Sequence, residues 1–388
     1  MKLAKKMAQL PEQFFAKLST NVANAIAEGR DVINLGQGNP DRPTPVHIVQ
    51  AMQQATADAA THKYSPFRGT TEIREAIATF YKREYDVEID PNKEVAVLFG
   101  SKAGLVELPM VLLDEGDTML LPDPGYPDYL SGVTLANIQF EKMPLLANNA
   151  FLPDYTALTN AQKDAAKLMY INYPNNPTGA VATADFFEET VQFAKENDIA
   201  VMHDFAYSSL GFDGVKPLSF LQTEGAKDVG VEFYTLSKTY NMAGWRVGFA
   251  VGNADIVEGL NLLQDHLFCS LFPAIQHAAA VALTSSQDCV VEQLQVYENR
   301  RNALKDAAER IGWKIDVPKG SFFAWLPVPE KLTSAEFAKI LLDEANVAVA
   351  DGKGFGEHGE GYVRVGLLVE EARIYEAMER IASLHLFD

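Results

Sequence analysis

Between about residue 45 and residue 285 the chain alternates short β-branched and apolar runs with longer stretches whose apolar positions recur every three or four residues. Few architectures satisfy that rhythm. One sheet whose strands are joined by helices covering both faces does, so the fold class read here is α/β, with a three-layer, mostly parallel sheet and a smaller α+β domain. The pattern predicts strands over 95–99, 118–121, 168–172, 199–203, 231–235 and 247–251, and helices over 47–60, 102–113, 184–197 and 254–266. The third of these helices opens after the capping residue Thr183. After about residue 290 the rhythm changes to a charged helix over 291–311, an apolar strand at Ser321-Phe-Phe-Ala-Trp-Leu, a second at Tyr362-Val-Arg-Val-Gly and a closing helix. Pro40, Pro43 and Pro45 mark an extended crossing before the first long helix. A chain of 388 residues exceeds what one core supports. The expected division is therefore an N-terminal arm and part of the small domain over 1–44, a large domain over 45–288 and a small C-terminal domain over 289–388, with a binding cleft between them.

Charge and composition narrow the partners. The formal net charge of −19 opposes nucleic acid or anionic membrane as a main partner, although local anion binding stays open. Cys269 and Cys289 are too few for a disulfide framework and lack metal-ligand spacing, so both read as structural, buried thiols of a cytoplasmic protein. The basic start, Met1-Lys-Leu-Ala-Lys-Lys, is followed by no long apolar core and reads as no signal peptide. No internal repeat or low-complexity tract is present. His62, His203, His266 and His277 show no zinc-like spacing, and no catalytic metal is expected.

The segment Tyr234-Thr-Leu-Ser-Lys-Thr-Tyr-Asn-Met-Ala-Gly-Trp-Arg-Val-Gly-Phe places one lysine, Lys238, just after an apolar strand. A strand end delivers side chains into a cleft, where desolvation or neighbouring cations lower the lysine pKa and make its amine a nucleophile for an aldehyde. Alone, a Ser-Lys pair is ordinarily a surface loop. Three other segments share the strand-end setting. Asp204 closes the apolar run Ala200-Val-Met-His-Asp, and Asn172-Tyr-Pro-Asn-Asn-Pro-Thr-Gly forms a rigid turn after another run. Phe99-Gly-Ser-Lys-Ala-Gly-Leu puts small residues between a strand and a helix, where free N–H groups and the helix dipole attract an anion. Arg364 lies within an apolar strand, a costly place for a cation without an anionic partner; a structural salt bridge to a nearby glutamate is the plain alternative. Gly354-Phe-Gly-Glu-His-Gly mimics a dinucleotide fingerprint but lacks the preceding strand of a βαβ unit, and reads as a flexible loop beside the cleft.

Taken in order along the chain, these segments resemble the fold-type I pyridoxal-5′-phosphate enzymes, the class I/II aminotransferases, over essentially the whole sequence. The resemblance implies that Lys238 carries the cofactor aldehyde on its amine, and that Asp204 pairs with the ring nitrogen and keeps it protonated. It implies that Tyr207 and Asn176 reach the ring's phenolic oxygen, Asn175 being the competitor for the second role. Ser101, Lys102 and Ala103 correspond to the phosphate-binding turn, the last two through backbone groups, with Arg246, Thr235 and Ser237 adding a guanidinium and hydroxyls. Thr235 stands where Gly or Ser is commoner in the family. Tyr126 corresponds to the aromatic that stacks on the ring, with Tyr129 as alternative. Tyr64 corresponds to a tyrosine that reaches the phosphate of a neighbouring subunit, so a homodimer is implied. Arg364 corresponds to the grip on the substrate α-carboxylate, assisted by the Gly38 backbone.

The reaction so implied is a ping-pong transfer of an amino group between an L-amino acid and a 2-oxo acid. The segment Cys269-Ser-Leu-Phe-Pro-Ala-Ile-Gln lacks the second arginine by which dicarboxylate-specific relatives hold a distal carboxylate. Phe14, Phe15, Tyr64, Phe67, Phe268 and Phe272 are candidates for an apolar pocket wall that suits a methionine-like side chain. Leu35-Gly-Gln-Gly-Asn-Pro-Asp, His62-Lys-Tyr-Ser-Pro-Phe-Arg-Gly and the lysine segment together resemble the bacterial aminotransferases of methionine salvage, which aminate 4-methylthio-2-oxobutanoate. Aspartate-, alanine- or diaminopimelate-type aminotransferases and a carbon–sulfur β-lyase are the alternatives within this chemistry. A regulatory module that binds the cofactor without turnover would ordinarily carry a DNA-binding segment, for which the N-terminus has neither room nor charge.

Overall fold

The computed structural model describes residues 2–268 and 270–387, so the reading of Cys269 lies outside the described residues. The chain opens with α1 (Phe14–Ala27) and the short strand β1 (Ile33–Asn34), then passes through α2 (Val46–Ala57) and α3 (Thr71–Tyr85). It next builds a seven-stranded sheet from β2 (Val95–Leu98), β3 (Thr118–Asp123), β4 (Gln139–Pro144), β5 (Ala166–Asn172), β6 (Ala200–Asp204), β7 (Gly230–Thr235) and β8 (Gly248–Gly252). Their order is β2-β8-β7-β6-β5-β3-β4. Only β8 runs antiparallel to its neighbours.

Six strands fall within two residues of the expected bounds. The seventh, β4, carries Gln-Phe-Glu-Lys-Met-Pro, is largely exposed at the sheet edge, and lacks the apolar run that marks its neighbours. Central strands are buried on both faces, and their side chains alternate between two cores. Met169, Ile171 and Val201 face one, and Leu168, Tyr170 and Met202 the other.

Local chemistry explains where the helices begin. Thr70 accepts the N–H of Ile73 to open α3, and Thr183 accepts that of Phe186 to open the helix Ala184–Asn197, caps worth about 0.5–2 kcal/mol each. The expected helix over 47–60 stops at Ala57 because the Asp58 carboxylate captures the N–H of Ala60 and starts a separate 3-10 turn. The helix α4 (Ser101–Leu112) contains Pro109, which cannot bond the carbonyl four residues earlier. That carbonyl, on Leu105, accepts the Tyr170 hydroxyl at 2.8 Å. The sheet thereby anchors the helix whose first turn faces the site.

The C-terminal unit holds a helix over Asp288–Arg310 and an antiparallel sheet of β9 (Phe323–Pro327), β11 (Ala350–Asp351) and β12 (Tyr362–Gly366), ordered β11-β12-β9. Its strand β10 (Val347–Ala348) pairs in parallel with β1, which joins the N-terminal segment to this unit. Tyr207 and Leu210, just past β6, share a core with Phe322, Phe323 and Val365, so the seam between the two sheets is apolar. Cys289 is free and half-buried. No helix among the described residues is long and apolar enough to cross a membrane.

Candidate active site

A cavity of about 510 Å3 opens at this seam, where β5, β6 and β7 end and β12 approaches. Ligand sites of open α/β sheets sit at such strand ends. Three unpaired basic side chains among the described residues line it, Lys238, Arg246 and Arg364, against one carboxylate, Asp204. An acidic protein therefore carries a locally positive cavity.

Lys238 follows β7 directly, and its Nζ donates to the carbonyl of Gly38 at 2.8 Å while lying 5.3 Å from the Phe322 ring centre. Burial, then the positive charges of Arg364 and Arg246, bring its pKa down to about 8. Asp204 ends β6 and is 5% exposed. Burial raises its pKa to about 6, opposed first by the Tyr129 hydroxyl, which donates to Oδ2 at 2.9 Å. Its Oδ1 is buried without a hydrogen-bond partner. A buried carboxylate oxygen left bare is costly unless a donor arrives, and a protonated pyridine nitrogen is such a donor.

At the other end of the cavity, Gly100 has φ +79° and a Cβ there would stand 2.6 Å from Nη2 of Arg246. Glycine thus lets the guanidinium settle against the start of α4. Ser101 and Lys102 in that first turn line the cavity, as do Thr235 and Ser237, whose hydroxyls bond each other at 2.9 Å. The Lys102 ammonium pairs with Asp128 at 2.7 Å, which leaves its backbone to face the cavity. Ala103, in the same turn, is not part of the lining. Hydroxyls, helix N–H groups and a fixed guanidinium together suit a phosphate. The bare Asp204 oxygen, the tuned lysine and this anion end fit pyridoxal-5′-phosphate.

Asn172 and Asn176 both face the cavity, and the Asn172 side chain ties the turn together: Nδ2 donates to the Asp204 carbonyl at 2.7 Å and Oδ1 accepts the Asn176 N–H at 2.8 Å. Asn175 bonds Asn172 and Thr178 within the turn and is fully buried outside the lining. Arg364 is 1% exposed. Nη1 donates to Asn176 Oδ1 at 2.9 Å, Nη2 to the Gly36 carbonyl at 3.1 Å, and Nε has no partner. No carboxylate among the described residues pairs with it, so the glutamate salt bridge does not form. The rings of Phe323, Phe355 and Phe15 instead stand 3.9, 4.7 and 5.0 Å from its Cζ. Burial lowers its pKa to about 9. An incoming carboxylate would supply the missing countercharge.

Tyr126, Tyr207 and Gly38 also line the cavity. Of the six aromatic wall candidates, Phe15 lines it and Phe14 packs behind against Phe355. Tyr64, Phe67, Phe268 and Phe272 stand outside it and are exposed, Tyr64 at 87%. The loop expected to be flexible is pinned instead. Gly125 N–H bonds the Phe355 carbonyl at 2.8 Å and His358 N–H bonds Asp123 Oδ1 at 3.1 Å. Lys142 pairs with Glu357 at 2.8 Å. Sequence reasoning missed Phe323, Phe355, Asn34, Asn39 and Asn172 and the bond from Tyr129 to Asp204. The one available signal was the position of Asn172 at a strand end, parallel to Asp204.

The family model described as aminotransferase class I and II matches residues 30–381. The L-glutamine–4-(methylsulfanyl)-2-oxobutanoate aminotransferase of Bacillus subtilis is 65% identical over 98% of this chain and 96% of its own. The LL-diaminopimelate aminotransferase of Halothermothrix orenii is 44% identical over 99% of this chain and 98% of its own. Among solved structures, substrate-bound BacF from Bacillus subtilis superposes with a TM-score of 0.95 at 44% identity, covering 99% of this chain and 98% of that one.

Proposed function

Because this chain belongs to the class I and II aminotransferases, which work with pyridoxal-5′-phosphate, we propose that Lys238 carries the cofactor and that the residues around it divide the labour of amino transfer as follows. Asp204 Oδ1 holds the ring nitrogen, Tyr207 and Asn176 the phenolic oxygen, and Tyr126 covers the ring. Ser101, Thr235, Ser237, Arg246 and the N–H of Lys102 hold the phosphate, whereas the Ala103 N–H is taken by the Gly100 carbonyl at 3.1 Å. Bound there, the cofactor supplies an aldehyde carbon for the amino group and a ring that withdraws electrons from the substrate Cα. Lys238 Nζ, freed when the substrate amine takes its place, would take the proton from that Cα and deliver it to the carbon that bore the aldehyde. Arg364 binds the α-carboxylate with help from Asn176 and the Gly38 backbone. In this reading residues 45–288 hold the cofactor, while 1–44 and 289–388 bring Gly38 and Arg364.

We further propose a thioether or similarly apolar 2-oxo acid as acceptor. The 65% identity to a relative named for 4-(methylsulfanyl)-2-oxobutanoate carries this choice. Two features of the cavity agree with it: the rings of Phe15 and Phe323, and arginines limited to Arg246 and Arg364 in the lining. A homodimer completes the reading, supported by exposed Tyr64, Phe67, Leu262 and Leu267, with Tyr64 reaching the partner's cofactor phosphate. A cytoplasmic location agrees with the sparse cysteines. Steady-state rates with 4-(methylsulfanyl)-2-oxobutanoate, oxaloacetate and pyruvate test the substrate. A clear preference for the thioether acid is expected; comparable rates with oxaloacetate and negligible ones with the thioether acid overturn it.

A further inference from the structure

Directly behind the site, on the face of the sheet turned away from the cavity, lies a cluster of polar groups with no exposure at all. His203 precedes Asp204 on β6, and its Nδ1 stands 2.7 Å from Glu232 Oε2 on β7. Its Nε2 stands 2.9 Å from the carbonyl of Tyr173, at the end of β5. Glu232 is already surrounded by donors: the Tyr81 hydroxyl at 2.7 Å and the Ser219 hydroxyl at 2.7 Å on Oε1, and the Phe220 N–H at 2.8 Å on Oε2. With three donors aimed at its two oxygens the group serves as an acceptor. The hydrogen toward Oε2 then belongs to Nδ1. Nε2 lies within hydrogen-bond reach of both the Tyr173 carbonyl, at 2.9 Å, and the Tyr173 N–H, at 3.3 Å, so each ring nitrogen is held by a different neighbouring strand. The polar atoms of the pair all have partners, which avoids the cost of an unpaired buried group.

The pair ties together the ends of three adjacent strands. Each of those ends delivers part of the site: β5 leads into Asn172 and Asn176, β6 into Asp204, and β7 into Thr235, Ser237 and Lys238. We propose that His203 and Glu232 are positioning residues, a hydrogen-bonded imidazole–carboxylate bolt that sets the spacing of Asp204 and Asn176 relative to Lys238. The proposal rests on the site roles given above.

The test compares wild type with His203→Gln and Glu232→Gln, measuring pyridoxal-5′-phosphate affinity of the cofactor-free protein by absorbance titration, kcat and KM of the holoenzyme, and thermal unfolding. Displacing Asp204 from Lys238 is expected to lower kcat and cofactor affinity about 10-fold or more each, because small displacements of reacting groups are costly. KM for the amino donor should hold within about 3-fold, since Arg364 keeps its bond to the Gly36 carbonyl. A lower melting temperature with kcat and cofactor affinity unchanged overturns the proposal. Should neither variant fold, selective 15N-histidine labelling of wild type decides. One histidine whose Nδ1 hydrogen is protected from solvent exchange and shifted downfield by a short bond to a carboxylate is expected, and rapid exchange of every histidine ring hydrogen overturns it. Wild-type protein that takes up no cofactor defeats the site roles themselves, whereas normal uptake with unaltered glutamine variants defeats only the bolt.

Discussion

Tyr129 donates its hydroxyl hydrogen to Oδ2 of Asp204 at 2.9 Å, while Oδ1 of that carboxylate is buried without a hydrogen-bond partner. The tyrosine fixes the rotation of the carboxyl group, so the bare oxygen has one direction in which to find a donor.

In the cofactor-free protein this arrangement predicts a pH-dependent gain from Asp204→Asn. The folded state raises the carboxyl pKa from 3.8 to about 6, so the fold favours its protonated form. Its stabilising contribution is full below about pH 3.8 and is lost as pH rises through about 6. Asparagine can still accept from Tyr129 and carries no charge. The variant should therefore unfold at higher temperature than wild type at pH 7.5, by on the order of 1–3 kcal/mol, with a much smaller gain at pH 4. Equal gains at both pH values would refute this. Transamination should fall at least about 100-fold.

Lys238 should capture the cofactor at a pH unusual for lysine. Burial and two arginines stabilise its neutral form, so the reactive amine dominates above about pH 8 rather than above 10.5. When pyridoxal-5′-phosphate is added to cofactor-free protein between pH 6 and 10, the rate at which visible absorbance grows should rise with a midpoint near 8. A midpoint above 10 contradicts the assignment. Lys238→Ala should show neither that absorbance nor turnover, a loss of at least about 100-fold in rate.

Arg364→Lys retains a charge but not the planar fork that meets Asn176 Oδ1 and the Gly36 carbonyl. KM for the amino donor should rise roughly 10- to 100-fold, the weight of one or two charge-assisted hydrogen bonds. An amine without a carboxylate should react equally slowly with both proteins. Unchanged KM for the amino acid would remove Arg364 from substrate binding.

Gly356→Ala tests the pinned loop. Gly356 has φ +137°, and a Cβ there would stand 1.9 Å from Asp123 Oδ1. Both the backbone strain and the clash resist the side chain, so a stability loss on the order of 1–3 kcal/mol is expected. Because the same loop carries Phe355 to within 4.7 Å of Arg364, KM should rise while cofactor affinity is unaffected. Thermal unfolding and steady-state kinetics read the two effects separately.

Much of this was legible in the linear chain. Short-range periodicity determines which segments are strands, and a strand end determines that Asp204, Asn172 and Lys238 emerge at one edge of the sheet. Periodicity has no term for an exposed edge strand, which is why β4 escaped it. Tertiary structure decided everything that depends on which strands lie side by side. Three rings drawn from α1, β9 and a glycine-rich loop meet around Arg364, although residues 15, 323 and 355 carry no mutual signal in sequence. His203 and Glu232 are partners because β6 and β7 are neighbours, and Tyr129 meets Asp204 across the whole of β5. Spacing along the chain encodes local geometry, whereas contacts between distant residues are set by strand order and helix packing, which only the folded chain supplies.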